Sequence, residues 1–298
     1  MTPGLRVLER NLRRAPFGLR LWDLAGATHL IDGLEIDVTL RGRRQPAARA
    51  SVNRSGVYYA LGLPGLRDFE LSDAGDETAW RPALRAYRVE VRDPLDRFLP
   101  FAFDADLPAR GLFNRLMPGT APTSPPAFGS PPAFMVDGVP LFSTPSRPVP
   151  EPLAAVRAQL REIGSDRPAA CCLVTVSVNG TVCGIGLADR EGRVAILFPY
   201  PDRPRPTLTS PPSPANDFKW NVELTAYYVP PPPDASTPEV ADLAAVFAQL
   251  DSPRPLYRSI ASPPQGLPAL PLDYRIPLTV RTEGGPTGPS SYLYVGTA

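Results

Sequence analysis

Residues 171–187 read CCLVTVSVNGTVCGIGL, in which apolar and small residues alternate on both sides of Asn179-Gly180. An Asn-Gly pair favours a two-residue type I′ turn, because both central positions of that turn require a positive φ angle. The stretch therefore predicts an antiparallel hairpin. With these two residues as the loop, the predicted cross-strand pairs are Val178–Thr181, Val176–Cys183, Val174–Ile185 and Cys172–Leu187.

The two faces of this hairpin are predicted to differ. Side chains alternate along a strand, so the paired apolar residues share one face. One apolar face and one small polar face are typical of an antiparallel strand pair in a β-sandwich. The small or polar residues of the opposite face are Thr175, Ser177, Gly184 and Gly186.

Short alternating runs recur on both sides of the hairpin and are separated by residues that favour turns. Pro277 limits the run in which it lies to an edge strand or a bulge. The whole chain is therefore predicted to be all-β. The predicted strands cover 33–40, 57–61, 87–91, 193–198, 220–229, 274–282 and 291–295.

The two halves of the chain carry similar units in the same order. NRSGVYYALGLPG (53–65) and DREGRVAILFPYP (189–201) both begin with Asx-Arg-x-Gly and continue into a strand that ends at proline. YRVEV (87–91) likewise matches WNVEL (220–224). The offsets are 136 residues from Asn53 to Asp189 and 133 from Tyr87 to Trp220. This agreement predicts a duplicated β-domain; the alternative is that unrelated sandwiches share the same turn chemistry.

We therefore expect two antiparallel β-sandwich domains of the immunoglobulin or transthyretin type. Residues 1–15 form an N-terminal arm, 16–108 the first sandwich, 109–150 a proline-rich connector and 151–298 the second sandwich. Proline-rich segments are extended and semi-rigid, so the connector is predicted to be a stiff spacer.

One short helix is predicted near 238–250 in the second sandwich. Thr237 is a suitable N-cap and Pro238 suits the first helical position. Val240, Leu243, Phe247 and Leu250 then fall on one face at helical spacing.

Large apolar side chains interrupt the connector, although a fully solvated linker rarely carries them. We expect them to dock either on the domains of this chain or on a neighbouring subunit. The candidate partner-binding residues are Phe113, Phe128, Phe134, Met135 and Phe142.

Composition excludes several classes of function. The 31 basic and 30 acidic residues give a net charge of +1, so no electrostatic footprint for nucleic acid is expected. His29 is the only histidine, which excludes mechanisms or metal sites that need two. Cys171, Cys172 and Cys183 lack zinc-finger spacing. We expect no cofactor, no metal, no membrane span, no signal peptide and a reduced, cytoplasmic location.

Carboxylates remain the candidates for catalysis. Asp104 and Asp106 would share one face of a strand. The pair could serve as the two acids of a hydrolase, or it could lie at a solvated or arginine-paired edge of a sheet. The turn-like cluster of Asp73, Asp76 and Glu77 could bind calcium weakly, but it lacks EF-hand spacing. Because no nucleophile, phosphate-binding or dinucleotide-binding fingerprint accompanies them, we expect no catalytic residues.

The repeated units ASVNRSGVYYALGLPG (50–65) and GLADREGRVAILFPYP (186–201) resemble carboxypeptidase-regulatory-like, or transthyretin-like, β-sandwiches. A turn of the form D/N-x-x-G before an apolar strand is the hallmark of that family. The run YRVEVRDPLDRFLPFAFDADLPARGLF (87–113), with the duplicated sandwich and the connector, is also similar to accessory structural proteins of contractile, phage-tail-like injection systems. Both resemblances imply scaffolds without catalytic residues.

The expected function is therefore a non-enzymatic structural part of a large bacterial particle, such as a baseplate, cap or collar accessory. Its expected partners are protein subunits, including further copies of itself in a symmetric particle. The alternative is a carbohydrate- or peptide-binding module that uses exposed rings from the adjacent pairs Tyr58-Tyr59 and Tyr227-Tyr228. Side-chain alternation turns one ring of each pair toward the core.

Overall fold

The computed structural model describes residues 13–71, 84–109, 138–201, 218–232, 238–285 and 288–296. Within these ranges the chain is mostly β-strand with little helix, so the predicted all-β class is confirmed. Most of the predicted N-terminal arm lies outside the described residues. We call residues 13–150 the first half and residues 151–296 the second half.

The described strands of the first half are short, and one helical turn follows the seventh. They are β1 (Phe17–Leu19), β2 (Leu21–Asp23), β3 (Thr28–His29), β4 (Glu35–Leu40), β5 (Ala48–Arg49), β6 (Ser51–Val52), β7 (Tyr58–Ala60), α1 (Arg67–Leu71), β8 (Arg85–Arg92), β9 (Phe101–Leu107) and β10 (Val139–Leu141).

The described strands of the second half are longer at first and short toward the end of the chain. They are β11 (Leu153–Glu162), β12 (Leu173–Val178), β13 (Thr181–Leu187), β14 (Arg193–Pro199), β15 (Lys219–Tyr227), β16 (Ala241–Asp242), α2 (Leu243–Ala248), a 3-10 turn (Gln249–Asp251), β17 (Pro253–Arg254), β18 (Leu256–Ser259), β19 (Gln265–Gly266), β20 (Leu270–Asp273), β21 (Leu278–Val280) and β22 (Leu293–Val295).

Both halves use the same pattern of strand pairing. In the first half β7 is antiparallel to β1, while β10 is parallel to the adjoining β2. In the second half the single long strand β11 is antiparallel to β14 and parallel to β21. The remaining strands agree as well: β8 pairs antiparallel with β4 and β9, and β15 pairs antiparallel with β12 and β20.

The two similar turns have the same hydrogen bonds. Oδ1 of Asn53 accepts from the N–H groups of Ser55 and Val57 at 2.9 and 3.0 Å. Oδ1 of Asp189 accepts from those of Glu191 and Arg193 at 2.9 and 2.8 Å. Each turn ends in a glycine with a positive φ angle, 72° in the first half and 76° in the second. The turn chemistry of both units is therefore as predicted.

The hairpin at 171–187 forms, but its predicted register is wrong beyond the turn. Asn179 and Gly180 have φ angles of 50° and 76°, as a type I′ turn requires, and Val178 pairs with Thr181. The register then shifts, since Ser177 pairs with Val182 but Val176 pairs with Gly184. Cys183 is the extra residue of this bulge. The observed pairs that follow are Val174–Gly186, Thr175–Ile185 and Leu173–Leu187.

The bulge places apolar side chains on both faces of the hairpin, which corrects the expectation of one polar face. Val174 and Val176 face a core inside the second half, together with Gly184 and Gly186. Ile185 and its neighbours on the opposite face join the core of the first half. A Cβ atom at Gly184 would lie 2.9 Å from the Phe198 side chain, so strand β14 passes too close for a larger residue.

The helix begins later than predicted. Residues 241–242 form strand β16, and α2 starts at Leu243 with Asp242 as its N-cap. The carboxylate of Asp242 accepts from the N–H groups of Ala244 and Ala245 at 2.9 and 3.3 Å. Asp242 caps better than an upstream position because Ala241 is held in a strand by pairing with Phe101 of β9. Thr237 lies outside the described residues.

The two halves are joined by strand pairing and by a shared core. Strand β16 of the second half lies parallel to β9 of the first. Leu187 of β13, Leu243 and Val246 of α2 belong to the same buried cluster as Phe101 and Phe103 of β9. In the connector region, 138–150 is described, and its strand β10 is part of a sheet with β2. Residues 110–137 lie outside the described residues.

A second connection runs through two arginines. Arg147 forms a bidentate ion pair with Asp23, with nitrogen–oxygen distances of 2.9 and 2.7 Å, and both side chains are about nine-tenths buried. Arg157 of β11 donates to the carbonyls of Pro145 and Arg147 at 3.0 Å each. Because β11 opens the second half, these bonds hold the end of the connector against both halves.

Glu162 is the most enclosed carboxylate of the second half. Its side chain accepts hydrogen bonds from the hydroxyls of Ser165 and Tyr228 and from the Arg167 guanidinium. Burial by itself raises the pKa of a carboxyl group, but these hydrogen bonds outweigh burial and hold the pKa of Glu162 below its usual value. Glu162 therefore stabilises the fold in its charged form.

This network predicts a pH-dependent loss of stability. Glu162→Gln is expected to lower the free energy of unfolding by about 2 kcal/mol at neutral pH, because hydrogen bonds to a charged group are lost. A carboxyl with a lowered folded-state pKa stabilises above its unfolded pKa and loses that effect as the pH falls through the folded value. The difference between wild type and variant in urea denaturation should thus shrink between neutral pH and about pH 3.

Glu283→Gln is the control for this prediction, because Glu283 is paired with Arg258 but its side chain is well exposed. Its effect should stay below about 1 kcal/mol at neutral pH. A Glu162→Gln variant that is as stable as this control would contradict a stabilising role for the network.

Candidate interaction surfaces

The candidate partner-binding residues fall into two groups. Phe142 is 1% exposed and lies in the core of the first half, so its ring docks on the sheets of this chain. This burial corrects the expectation that Phe142 is offered to a partner. Phe113, Phe128, Phe134 and Met135 lie outside the described residues.

Asp104 and Asp106 lie on the exposed face of strand β9, as alternation predicts. Asp104 is 3.5 Å from the Arg88 guanidinium and 3.8 Å from that of Arg41. Arg88 also reaches Asp242 at 3.5 Å, so Asp104 belongs to a group of arginine–carboxylate pairs within the chain. The geometry is that of an arginine-paired edge. Asp73, Asp76 and Glu77 lie outside the described residues.

Asp104→Asn should change stability little. Its carboxylate is 42% exposed, and exposed ion pairs contribute about 0–1 kcal/mol. The free energy of unfolding, measured by thermal denaturation, is expected to change by less than about 0.5 kcal/mol. If Asp104→Asn lost as much stability as Glu162→Gln, the face of β9 that carries Asp104 would have to be covered in the folded protein.

The three cysteines lie in or against the two cores. Cys172 is buried in the core of the second half and Cys183 packs partly against that core, while Cys171 packs against the core of the first half. All three are free thiols. Burial raises the pKa of each thiol above its ordinary value, and for Cys171 the nearby Asp189 adds to this effect. A raised pKa reduces the thiolate fraction and with it nucleophilicity.

His29 serves as a packing residue in strand β3. It pairs across the strands with Trp22, and the two rings meet edge to face with centroids 4.8 Å apart. Among the described residues, no group of histidine, cysteine and acidic side chains is arranged to hold a metal ion. Nor does any helix in the described ranges have the length and apolar character needed to cross a membrane.

A cleft of about 160 Å³ opens where the two halves meet. Its floor includes Leu99 and Leu187, and Cys171 lies in its wall. The charged groups on its rim are matched by partners: Arg190 forms an ion pair with Glu191 at 2.6 Å, and Glu239 lies 3.9 Å from Arg92. The cleft therefore offers an apolar floor without an unpaired charge.

A larger groove of about 400 Å³ lies in the second half, between strands β20 and β21. Leu267, Leu270 and Leu278 form its apolar surface, and each also packs against the core. Arg258, Arg281 and Glu283 lie at its charged end. Sequence reasoning missed this groove, although Pro277 indicated an edge strand at this position.

An aromatic cluster lies at another part of the second half. The ring centroid of Tyr200 lies 4.9 Å from that of Trp220 and 4.9 Å from that of Tyr274. The hydroxyl of Tyr200 accepts from the N–H of Arg275 at 2.7 Å, and the Arg275 guanidinium lies over the Tyr274 ring. Trp220 and Tyr274 are half-buried, so part of each ring reaches the surface.

The tyrosine pairs considered for ligand binding behave as alternation predicts. Tyr58 and Tyr228 are buried, and Tyr59 and Tyr227 are half-buried. Burial raises the pKa of Tyr58 to about 12, and the negative charge of Asp32 adds to this effect. Tyr58 is therefore a neutral core residue at physiological pH.

Comparison with known proteins adds no relative. No protein-family description matches the chain, and searches of curated proteins and of solved structures find no match. The fold and the surfaces described above are therefore the basis for inferring what the protein does.

Proposed function

We propose that this chain is a non-enzymatic structural protein that takes part in assembling a large bacterial particle. The proposed particle is of the contractile, phage-tail-like kind, in which the chain would serve as a baseplate, cap or collar accessory. Its partners would be protein subunits, including copies of itself around a symmetry axis. Assembly would take place in the cytoplasm.

The observation that carries this proposal is the way the two halves are tied together. Strand β16 of the second half extends a sheet of the first, and Leu243 and Val246 of α2 are buried in the core of the first half. The bidentate pair of Arg147 with Asp23 and the bonds from Arg157 hold the intervening chain. A body joined by strand pairing resists relative motion of its parts better than one joined by a flexible tether. Such stiffness suits a structural component.

The repeated pairing pattern supports the proposal that the chain consists of two related β-sandwich domains. In the second half β11 lies between one antiparallel and one parallel neighbour, and in the first half the adjoining strands β1 and β2 have one such neighbour each. Together with the matching Asx-Arg-x-Gly turns, this pattern supports duplication of a unit that resembles the carboxypeptidase-regulatory-like family. Scaffold domains of that kind act by presenting surfaces.

The test is fractionation of cells that naturally produce the protein. A lysate is separated on a density gradient, the chain is followed with an antibody, and the heavy fractions are imaged by electron microscopy. We expect the chain to sediment with tail-like particles and to stay with them through a second gradient. If all of it sediments as a free 32.2 kDa protein in cells that contain such particles, the proposal fails.

The aromatic cluster around Trp220 favours a second candidate, a carbohydrate-binding module. Half-exposed rings beside a cationic side chain can stack on the apolar face of a sugar. A glycan array probed with wild type and with Trp220→Ala tests this reading. Signals that the variant loses, while its unfolding temperature stays close to that of wild type, would support it; an array without signals would exclude it.

A further inference from the structure

The groove of the second half is the open side between two sheets. Strand β20 is paired with β15 of one sheet, and strand β21 is paired with β11 of the other. The chain between Leu267 and Pro271 forms one wall, and residues 278–281 form the other. A ligand lying in the groove would therefore run alongside β21.

Within the part of the chain that the structure describes, the outer edge of β21 presents unpaired backbone groups to this groove. On the β14 side of β11, the N–H of Leu160 donates to the carbonyl of Gly192. Alternate residues of a strand point their backbone groups in opposite directions. Arg157 consequently turns its N–H and C=O toward β21, opposite Thr279. In a parallel pair, the N–H and C=O of one residue bond to the residues before and after the residue that it faces. Arg157 faces Thr279, so its N–H and C=O bond to Leu278 and Val280. The backbone groups of Thr279 and Arg281 then point into the groove.

Among the described residues, β21 has β11 as its only strand partner. An open edge of this kind is a template for another extended chain, because each added residue can exchange main-chain hydrogen bonds with it. The edge thus determines the shape of a fitting ligand, which must be an extended peptide.

The side chains of the groove determine the polarity of that peptide. Leu267, Leu270 and Leu278 are half-buried members of the core, and their exposed parts form a continuous apolar surface. A strand directs alternate side chains to one face, so every second residue of the peptide would contact this surface. These contacts favour apolar residues at alternate positions.

The charge of the groove selects one further feature. Arg258 is neutralised by Glu283, whose carboxylate lies 2.7 Å from its guanidinium. Arg281 lines the groove and forms no ion pair with any described residue. The lining therefore carries one uncompensated positive charge. An acidic side chain in the peptide would complement it.

The first half shows how this chain treats a comparable edge. Strand β9 in the first half corresponds to β20 in the second half. β9 pairs antiparallel with β8, and β20 pairs antiparallel with β15, the strand that matches β8. The first two residues of β9 pair at its outer edge with β16, a two-residue extended segment. Addition of an extended segment to part of a sheet edge thus already occurs in this fold.

We propose that the groove binds an extended segment of a partner protein, added as a strand to the outer edge of β21. The segment carries apolar residues at alternate positions and an acidic residue that pairs with Arg281. This proposal deepens the assembly function by describing one partner contact, and it rests on that function only for the identity of the partner. Peptide binding by the groove can succeed or fail independently of sedimentation with particles.

The test begins with a library of random peptides of about twelve residues, displayed on phage and selected against the full chain. The enriched sequences are synthesised, and their Kd values are measured by fluorescence anisotropy. We expect alternating apolar residues with an aspartate or glutamate. A copy of the peptide with N-methyl groups at alternate residues, which lacks the N–H donors of one edge, should bind at least about tenfold more weakly.

Two variants connect the binding to the groove. Arg281→Glu should weaken binding by at least about tenfold, and replacing the acidic residue of the peptide by lysine should restore it. Thr279→Pro removes the N–H that faces the groove and should weaken binding to a similar degree. Arg54→Glu, in an exposed turn of the first half, is the matched control and should leave the Kd unchanged. Thermal unfolding establishes that each variant is folded.

The proposal is overturned if no peptide is enriched, or if the enriched peptide binds Arg281→Glu as tightly as wild type without any reversal of charge preference. It is also overturned if the chain forms a dimer at increasing concentration that Arg281→Glu abolishes, since the groove would then hold a second copy. Should Thr279→Pro fail to fold, the N-methylated peptide tests the main-chain bonds in its place.

Discussion

Arg147→Met should lower the free energy of unfolding by about 3–5 kcal/mol, which is the usual loss when one partner of a buried ion pair is removed. Among the described residues, Asp23 would keep only the N–H of Ala25, at 3.0 Å, as a hydrogen-bond donor to its buried carboxylate. The substitution also removes the guanidinium that lies 4.6 Å from the centre of the Phe98 ring. Urea denaturation followed by tryptophan fluorescence measures the loss.

The control is Arg190→Met, because Arg190 also forms an ion pair but its side chain is 65% exposed. That variant should lose less than about 1 kcal/mol. The double variant Asp23→Asn with Arg147→Met should recover part of the loss, since it leaves no uncompensated buried charge. Equal stability of Arg147→Met and Arg190→Met would show that the buried pair does not hold the connector in place.

Gly192→Ala should destabilise the protein by at least about 3 kcal/mol, through left-handed backbone strain and a steric clash together. Gly192 has a φ angle of 76°, and a Cβ atom there would lie 2.3 Å from the carbonyl oxygen of Leu160. The same carbonyl belongs to the central strand β11 and cannot move without breaking its pairing. Thermal unfolding and urea denaturation both measure this effect.

The chain offers two matched controls for Gly192. Gly180→Ala introduces a Cβ at the same φ angle with no atom within 4 Å, so only the conformational strain of about 1–2 kcal/mol remains. Gly56→Ala, in the equivalent turn of the first half, meets only the exposed side chain of Ile31, which can move aside. If all three variants lose the same stability, the close approach of the turn to β11 is not a constraint on the fold.

The turns and the strands next to them could be predicted because their causes are local. A positive φ angle at Asn179 and Gly180, or a side-chain cap by Asn53 and Asp189, depends on residues within about five positions. Alternation correctly placed Asp104 and Asp106 on one face of a strand. Each of these features follows from the geometry of the strand on which it lies.

The interaction surfaces could not be predicted in the same way. The groove beside β21 combines residues 258, 267–271 and 278–283 from separate loops and strands, and its open edge depends on which strand fails to find a second partner. The sequence showed Pro277 as a sign of an edge, but not where that edge would lie. Apolar residues of the connector were expected to dock either on this chain or on a neighbouring subunit, and the structure places Phe142 in the core of this chain, where β10 joins the sheet of β2.

By itself the sequence determined the class of fold and the positions of the main turns, because alternation and turn chemistry act over a few residues. It did not predict β11, the longest described strand, or β20. Only the tertiary structure decided the bulge at Cys183, the start of α2 at Leu243 and the union of the two halves through β16. Each of these depends on the close approach of segments that are distant in the chain. In the observed register, Gly184 and Gly186 lie where close packing against β14 leaves no room for a Cβ.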